Sequence, residues 1–369
     1  MSSLYAPASG RGEMHVLAQA HDAKLSFAEQ LTAICETLID YERQEGNRGF
    51  VPVMCRLMLS DAANQAEFAF SILREHYNGA ASYVQQAPLN GSKMAVWVYY
   101  REGVTCSVVD SSTTVVRGRN YDQYWSTMLC EPLSDPQAEC IAQLERLERM
   151  LSGEGLTIEA ACVRTWFFVQ NIDVNYGAVV AGRNENFALN GLTRETHYIS
   201  STGICGRHAD SRITSIMDAV SLGGLAPQQM KYLYASDHMN RTSDYGVAFE
   251  RGTYIDFGDR RHVYVSGTAS IDEHGSVMHE HDILSQTDRA LENIGALLAE
   301  AEMNWPDVAY VVVYLRDVGD YGNVNDKLRA FLGDVPYVVL HSPVCRPGWL
   351  IEMECMAIKE RASDYPAFE

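Results

Sequence analysis

The stretch LIEMECMAI (350–358) carries two carboxyl side chains, Glu352 and Glu354, in an otherwise apolar run. Its pattern reads as a β-strand, so residues two apart project from one face. Two adjacent carboxylates repel, and that repulsion pushes one towards the protonated state a general acid needs. The alternative is a half-exposed strand with both groups in water, the usual fate of carboxylates. Cys345 stands seven residues before Glu352, just ahead of Arg346 and Pro347. A cysteine there is either an apolar packing residue or a thiol beside a reacting centre.

Cations suited to an anionic ligand interrupt two further apolar strands, Arg164 in ACVRTWFFV and Arg316 in YLRD. An unpaired guanidinium among apolar neighbours is costly. Each arginine must therefore meet an anion, and its planar fork suits a carboxylate. That anion is either a ligand or an internal carboxylate. Arg207 in SSTGICGRHAD follows a glycine-rich bend whose amides could hold an oxyanion, or it is a solvated loop charge. MHEHD (278–282) sets two histidines at i and i+2 with no third partner spaced for zinc. It reads as a loop entering a helix, with Asp282 as the N-cap. GLTRETH and AGRNENF lack phosphate-loop spacing, and neither GxGxxG nor GxxxxGKS occurs. No metal and no cofactor are expected.

These residues need a scaffold, and the chain is long enough for two or three packed units at 369 residues. Hydrophobic residues at 47% and charged residues at 21% describe a globular protein. The formal charge of −19 argues against nucleic acid and against a polybasic membrane anchor. An anionic ligand must therefore be held by a few placed arginines against the global field. No apolar run is long enough to span a membrane, and the N-terminus lacks the pattern of a secretory signal. Nine cysteines without a CxxC read as free thiols in a reducing compartment, so a cytoplasmic protein is expected.

Periodicity predicts helices at 27–45, 62–77, 135–151, about 176–189, 282–302 and 321–332. Strands are expected at 51–61, 81–86, 93–100, 121–129, 161–173, 196–204, 262–271, 308–317, 336–342 and 350–358. Each third then holds a long helix, a strand ending near Asp or Asn, and a second helix. Three related units are one reading of that order; a generic α+β protein is the other.

HVYVSGTASI (262–271), the helix from Gln286 to Ala301, VVVYLRD and LIEMECMAI resemble the reactive-intermediate imine deaminase (RidA-like) family, over residues 245–360. Those proteins are trimers of one such unit with active sites between subunits. Tyr245 in DYGVAFERG matches the tyrosine that lines their cleft, although a loop tyrosine also serves in packing. The family's arginine in the penultimate strand is missing, because that strand reads VPYVVL. YLYASDHMNRTSDYGVAFERGTYIDFG (232–258), SSTGICGR (200–207) and CRPGWLIEME (345–354) are similar to the chorismatase family, whose chain resembles an RidA-like trimer fused into one polypeptide. The similarity extends over nearly the whole chain beyond residue 24.

The resemblance implies an α+β pseudo-trimer of RidA-like (chorismate-mutase-like) units. A tail at 1–24 would precede a degenerate scaffold unit at 25–103, a second unit at 104–224 and a third, carrying the catalytic glutamate, at 225–369. Such a chain acts as a monomer. It further implies a cofactor-independent enzyme of secondary metabolism and antibiotic biosynthesis that releases pyruvate from chorismate. Glu352 falls on the family's catalytic glutamate. Cys345 and Gly258 match the members that form 3-hydroxybenzoate; hydrolytic members, which give 3,4-dihydroxycyclohexa-1,5-diene carboxylate, carry small alanine-like residues there. Arg164, Arg316, Arg207, Gly258 and Tyr245 are the expected substrate contacts, in a cleft between the second and third units. The rivals are the hydrolytic product, an imine deaminase, and a non-catalytic binder of small ligands.

Overall fold

The computed structural model describes residues 1–7, 10–47 and 49–369. Three mixed sheets with helices on one face form three units in chain order. Unit 1 holds β1 (Ser2–Tyr5), β2 (Glu13–Gln19), α1 (Phe27–Arg43), β3 (Phe50–Leu59), α2 (Ala62–His76), β4 (Ala80–Gln85), β5 (Ala87–Pro88) and β6 (Met94–Glu102). Unit 2 follows with β7 (Cys106–Val108), β8 (Thr113–Val116), β9 (Asp122–Leu129), α3 (Pro136–Gly153), α4 (Ile158–Ala161), β10 (Cys162–Val169), α5 (Ile172–Leu189), β11 (Ser200–Cys205) and β12 (Ser215–Gly223). Unit 3 comprises β13 (Met230–Leu233), β14 (Gly252–Asp256), β15 (Arg260–Ala269), α6 (Ile283–Glu300), β16 (Val308–Leu315), α7 (Tyr321–Leu332), β17 (Tyr337–His341) and β18 (Ile351–Glu360).

The sheets share one strand order. β1-β2-β6-β3-β4 corresponds to β8-β9-β12-β10-β11 and to β14-β15-β18-β16-β17, with a parallel pair closing each. The chain is thus a fused trimer of one α+β unit. Its helices begin where side chains satisfy free backbone amides: Ser26 and Glu29 form a capping box at α1, Asp135 and Pro136 open α3, and Asp282 accepts from Ser285 N at α6. Units are sewn together by backbone bonds, β5 joining β17 and Gln85 N donating to the Arg207 carbonyl at 3.0 Å. On the central axis, Trp97 of unit 1 packs against Trp125 and Trp166 of unit 2 and Tyr310 of unit 3, ring centroids 4.9–6.4 Å apart.

Two expectations are corrected. Residues 1–24 are not simply a tail, because β1 and β2 extend the first sheet. Polar residues inside β2 obscure the strand: buried Glu13 takes Arg260 Nη1 at 2.6 Å, His262 at 2.8 Å and the Tyr99 hydroxyl at 2.5 Å. Strand β10 ends at Val169, and α5 starts at Ile172 rather than near 176, after Asn171 turns the chain in a left-handed conformation (φ 49°). The strands β8 and β12 complete unit 2 and β14 completes unit 3; β8 and β12 lie in stretches the periodicity leaves unassigned.

Candidate active site

The two carboxyls of β18 are buried together, Glu352 5% and Glu354 2% exposed, so the solvated alternative does not hold. β15 bulges opposite Glu354, where Ser266 and Gly267 face one residue of β18. Gly267 lies so close that a Cβ there would sit 2.2 Å from Glu352 Oε1. Only glycine leaves room for the carboxyl. Burial first, and the neighbouring Glu354 second, push the Glu352 carboxyl up to about 8 against the pull of Arg164 and Arg251. At neutral pH Glu352 therefore carries a proton.

The cleft around Glu352 lies between units 2 and 3. Helix α5 contributes Tyr176 and Arg183, β11 contributes Ser201 and Gly203, and the segment before β14 contributes Tyr245, Val247 and Phe249 with Arg251 behind them. Cys345, Arg346 and Trp349 close the side nearest β18. The void among these groups is about 40 Å³, room for a few waters. Arg183 is 1% exposed, yet its Nε and Nη2 have no partner among the described residues. Those two N–H groups share the edge with which Arg261 grips Asp256, at 2.6 and 2.9 Å. An unsatisfied guanidinium edge in a cleft is a ready receptor for a carboxylate. Arg251 is held by the Asn240 carbonyl at 3.1 and 3.2 Å, and Arg346 stacks on Tyr245 at 4.6 Å. Burial, and then Glu352, push the Cys345 thiol up to about 12, so it is a thiol at neutral pH, in hydrogen-bonding reach of the Tyr176 hydroxyl.

The expected residues do not all meet here. Glu352, Cys345 and Tyr245 line the cleft. Arg164 instead donates from Nη2 to Glu354 at 2.8 Å and to the Thr202 hydroxyl, an internal pairing that leaves it behind the cleft wall. Arg316 pairs with Asp173 at 2.9 and 3.1 Å and donates to the carbonyl of Val344, bracing the loop before Cys345. Arg207 has an exposed side chain. Gly258 packs beneath the C-terminal segment: its N–H donates to the Pro366 carbonyl at 2.7 Å, and a Cβ would meet the Tyr365 carbonyl at 2.3 Å. The sequence pattern does not point to Arg183, Arg251, Tyr176 or Gly267. Arg183 carries no strand context to flag it, since it lies in a helix with little amphipathic contrast. As expected, Asp282 caps α6 after the 278–282 loop.

The other two inter-unit clefts are furnished differently. Glu352 faces Tyr314, three residues before Asp317; the matching positions are Ile216 facing Phe168 before Asn171, and Ala95 facing Met58 before Asp61. Unit 2 repeats the bulge with Thr127 and Met128 opposite Asp218, and Asp218 pairs with Arg56 at 2.8 Å. There the glycine's place is taken by Met128, whose sulfur accepts from Tyr83 N at 3.4 Å. Unit 1 has no such bulge between β2 and β6.

Comparison with known proteins agrees with this architecture. The family model described as Endoribonuclease L-PSP matches residues 252–359. A RutC family protein of Pyrococcus abyssi (strain GE5 / Orsay) is 36% identical over 100 residues, 27% of this chain and 79% of the relative. The 3-aminoacrylate deaminase RutC of Acinetobacter baylyi is 40% identical over 98 residues, 26% of this chain and 77% of that protein. The crystal structure of a chorismatase superimposes with a TM-score of 0.66 at 16% identity, covering 96% of this chain and 99% of the other. The chain thus shares the fold of that chorismatase along its whole length.

Proposed function

The chain belongs to the RutC family, and from that premise we propose that it is a chorismatase converting chorismate to 3-hydroxybenzoate and pyruvate. The observation that carries the reading is the juxtaposition, in one cleft of three, of a carboxyl raised to about 8 and a buried arginine edge without a partner. Chorismate is a dicarboxylate whose enolpyruvyl ether breaks once its methylene carbon takes a proton. Glu352 supplies that proton. Arg183, aided by Arg251 and Arg346, binds the carboxylates and fixes the ring. The C4 hydroxyl oxygen then displaces the ether oxygen at C3 while its proton passes to the Glu352 carboxylate, pyruvate departs, and the arene-oxide-like product opens to the phenol. No atom is gained or lost, so water is not consumed. Incubation with chorismate yields pyruvate and an aromatic hydroxy acid; absence of pyruvate overturns the reading.

The hydrolytic route differs by one water. Cys345 stands next to Glu352 as a neutral thiol, filling space that water would need. Cys345→Ala is expected to move part of the product to the dihydroxycyclohexadiene carboxylate, read by mass as the addition of one water. Unchanged products remove Cys345 from the specificity argument. An imine deaminase lacks support here because β17 offers Tyr337 and Val338 in place of an arginine.

We propose that the outer wall of the narrow cleft moves to admit a ten-carbon dicarboxylate. That wall hangs on Asn184 of α5, whose side chain donates to the Gly246 carbonyl at 2.9 Å and accepts from Ala248 N at 3.2 Å. Gly246, at φ 80°, takes the left-handed conformation that favours glycine. Losing two hydrogen bonds to the latch in Asn184→Ala should raise the association rate of chorismate roughly tenfold in stopped-flow fluorescence. An unaltered rate would assign entry to another wall.

A further inference from the structure

Glu354 is not among the residues that line the cleft, yet several hydrogen bonds hold it. Trp166 Nε1 donates to its Oε1 at 2.8 Å, while Arg164 Nη2 donates to its Oε2 at 2.8 Å. The Thr202 hydroxyl donates to Oε2 as well, and the backbone N–H of Gly267 donates to Thr202 at 2.9 Å. Three elements of unit 2 and unit 3 thereby fix one carboxylate two residues from Glu352, on the same face of β18. Unit 2 has a similar Asp218–Arg56 pair opposite its bulge, but Ile216 replaces the acid. An ion pair can therefore stand there for structure alone; in unit 3 the place of Ile216 is held by a second carboxyl, Glu352.

We propose that Glu354 is a positioning residue for the acid: pinned by Arg164, Thr202 and Trp166, its carboxylate sets a fixed negative charge beside Glu352 and keeps the proton there until substrate takes it. The inference rests on the chorismatase reading for its purpose, though not for its geometry. Other charged and titratable groups face Glu352 from each packed element. Arg164 on β10 and Arg251 before β14 favour its ionised form, and Glu354 opposes them. Helix α5 presents Arg183 and Tyr176, the segment before β14 presents Tyr245, and the loop before β18 presents Arg346 and Cys345. Tyr314 faces it from β16. Burial holds the protons on the tyrosines and the thiol, so none of them competes for the proton at neutral pH.

The test reads the proton on Glu352 directly. A difference infrared spectrum, wild type minus Glu352→Gln, isolates the carbonyl stretch of the protonated carboxyl; its loss with rising pH gives a midpoint, about 8 in the wild type. Glu354→Gln should lower that midpoint by roughly one unit or more, since it removes the repulsion and frees Arg164 to attract the ionised form. Arg164→Met/Glu354→Gln removes both charges and should fall between the two, because Glu354 outweighs Arg164 in the wild type. The double variant also leaves no buried charge unpaired, so it carries the test if the single variant does not fold. The upper limb of the pyruvate-release profile should move with the infrared midpoint. A midpoint unchanged in either variant overturns the proposal, even if activity falls. A midpoint that shifts in a protein that leaves chorismate intact retains the proposal and rejects the chorismatase reading.

Discussion

Glu352→Gln is expected to lower the rate of pyruvate release from chorismate by roughly 10²–10⁴-fold, the range associated with loss of a general acid. The side chains have the same shape, so KM should change little; an amide simply cannot give up a proton to the methylene carbon. Wild-type kcat/KM should be flat through neutral pH and fall as pH rises through about 8, where Glu352 ionises. Stability follows the same group. Its carboxyl is raised from 4.5 to about 8 in the folded protein, so its contribution is complete below 4.5 and is lost as pH climbs through 8. The glutamine variant has no such proton to lose. Its melting temperature should therefore gain on the wild type between pH 4.5 and about 8, measured by calorimetry across that range. A variant that keeps its activity removes Glu352 from the mechanism.

The second large effect has two opposite signs. Arg183→Met should raise KM for chorismate roughly 10²-fold or more, because two charge-assisted hydrogen bonds to a carboxylate disappear. The same change should raise the melting temperature of the protein without substrate. A guanidinium edge buried without partners costs the folded state, and an apolar chain of similar length does not. Binding measured by calorimetry and melting measured without substrate separate the two. A fall in both would mean that Arg183 is held by the fold rather than reserved for a ligand.

Much of the scaffold was legible because apolar periodicity and capping residues act locally. The helices α1, α2, α3, α6 and α7 follow from stripes bounded by Ser26, Asp61, Asp135 and Asp282, or from an apolar repeat ending at Gly333. Strand β2 was hidden because its buried Glu13 takes Arg260 and His262 of another unit, some 250 positions away in the chain. The site divides along the same line. Glu352 announces itself by breaking an apolar strand beside a second carboxyl. Arg164 and Arg316 broke apolar strands too, but their anions are Glu354 and Asp173. Pattern shows that a buried arginine needs a partner and says nothing of which one. Arg183 faces the opposite problem: on a helix, an arginine looks solvated until the neighbouring unit covers it.

The two bulges, Ser266–Gly267 and Thr127–Met128, bear on how many ligands one molecule can hold. In an assembly of identical subunits any residue at this place is repeated three times, so all the clefts gain or lose room together. Joining three units in one polypeptide lifts that constraint. Glycine can stand in one bulge while methionine fills the next, and residues released from catalysis in two clefts become free to secure the third. The consequence is countable: isothermal titration should saturate at one chorismate per chain, where a symmetric trimer of the same mass would take three.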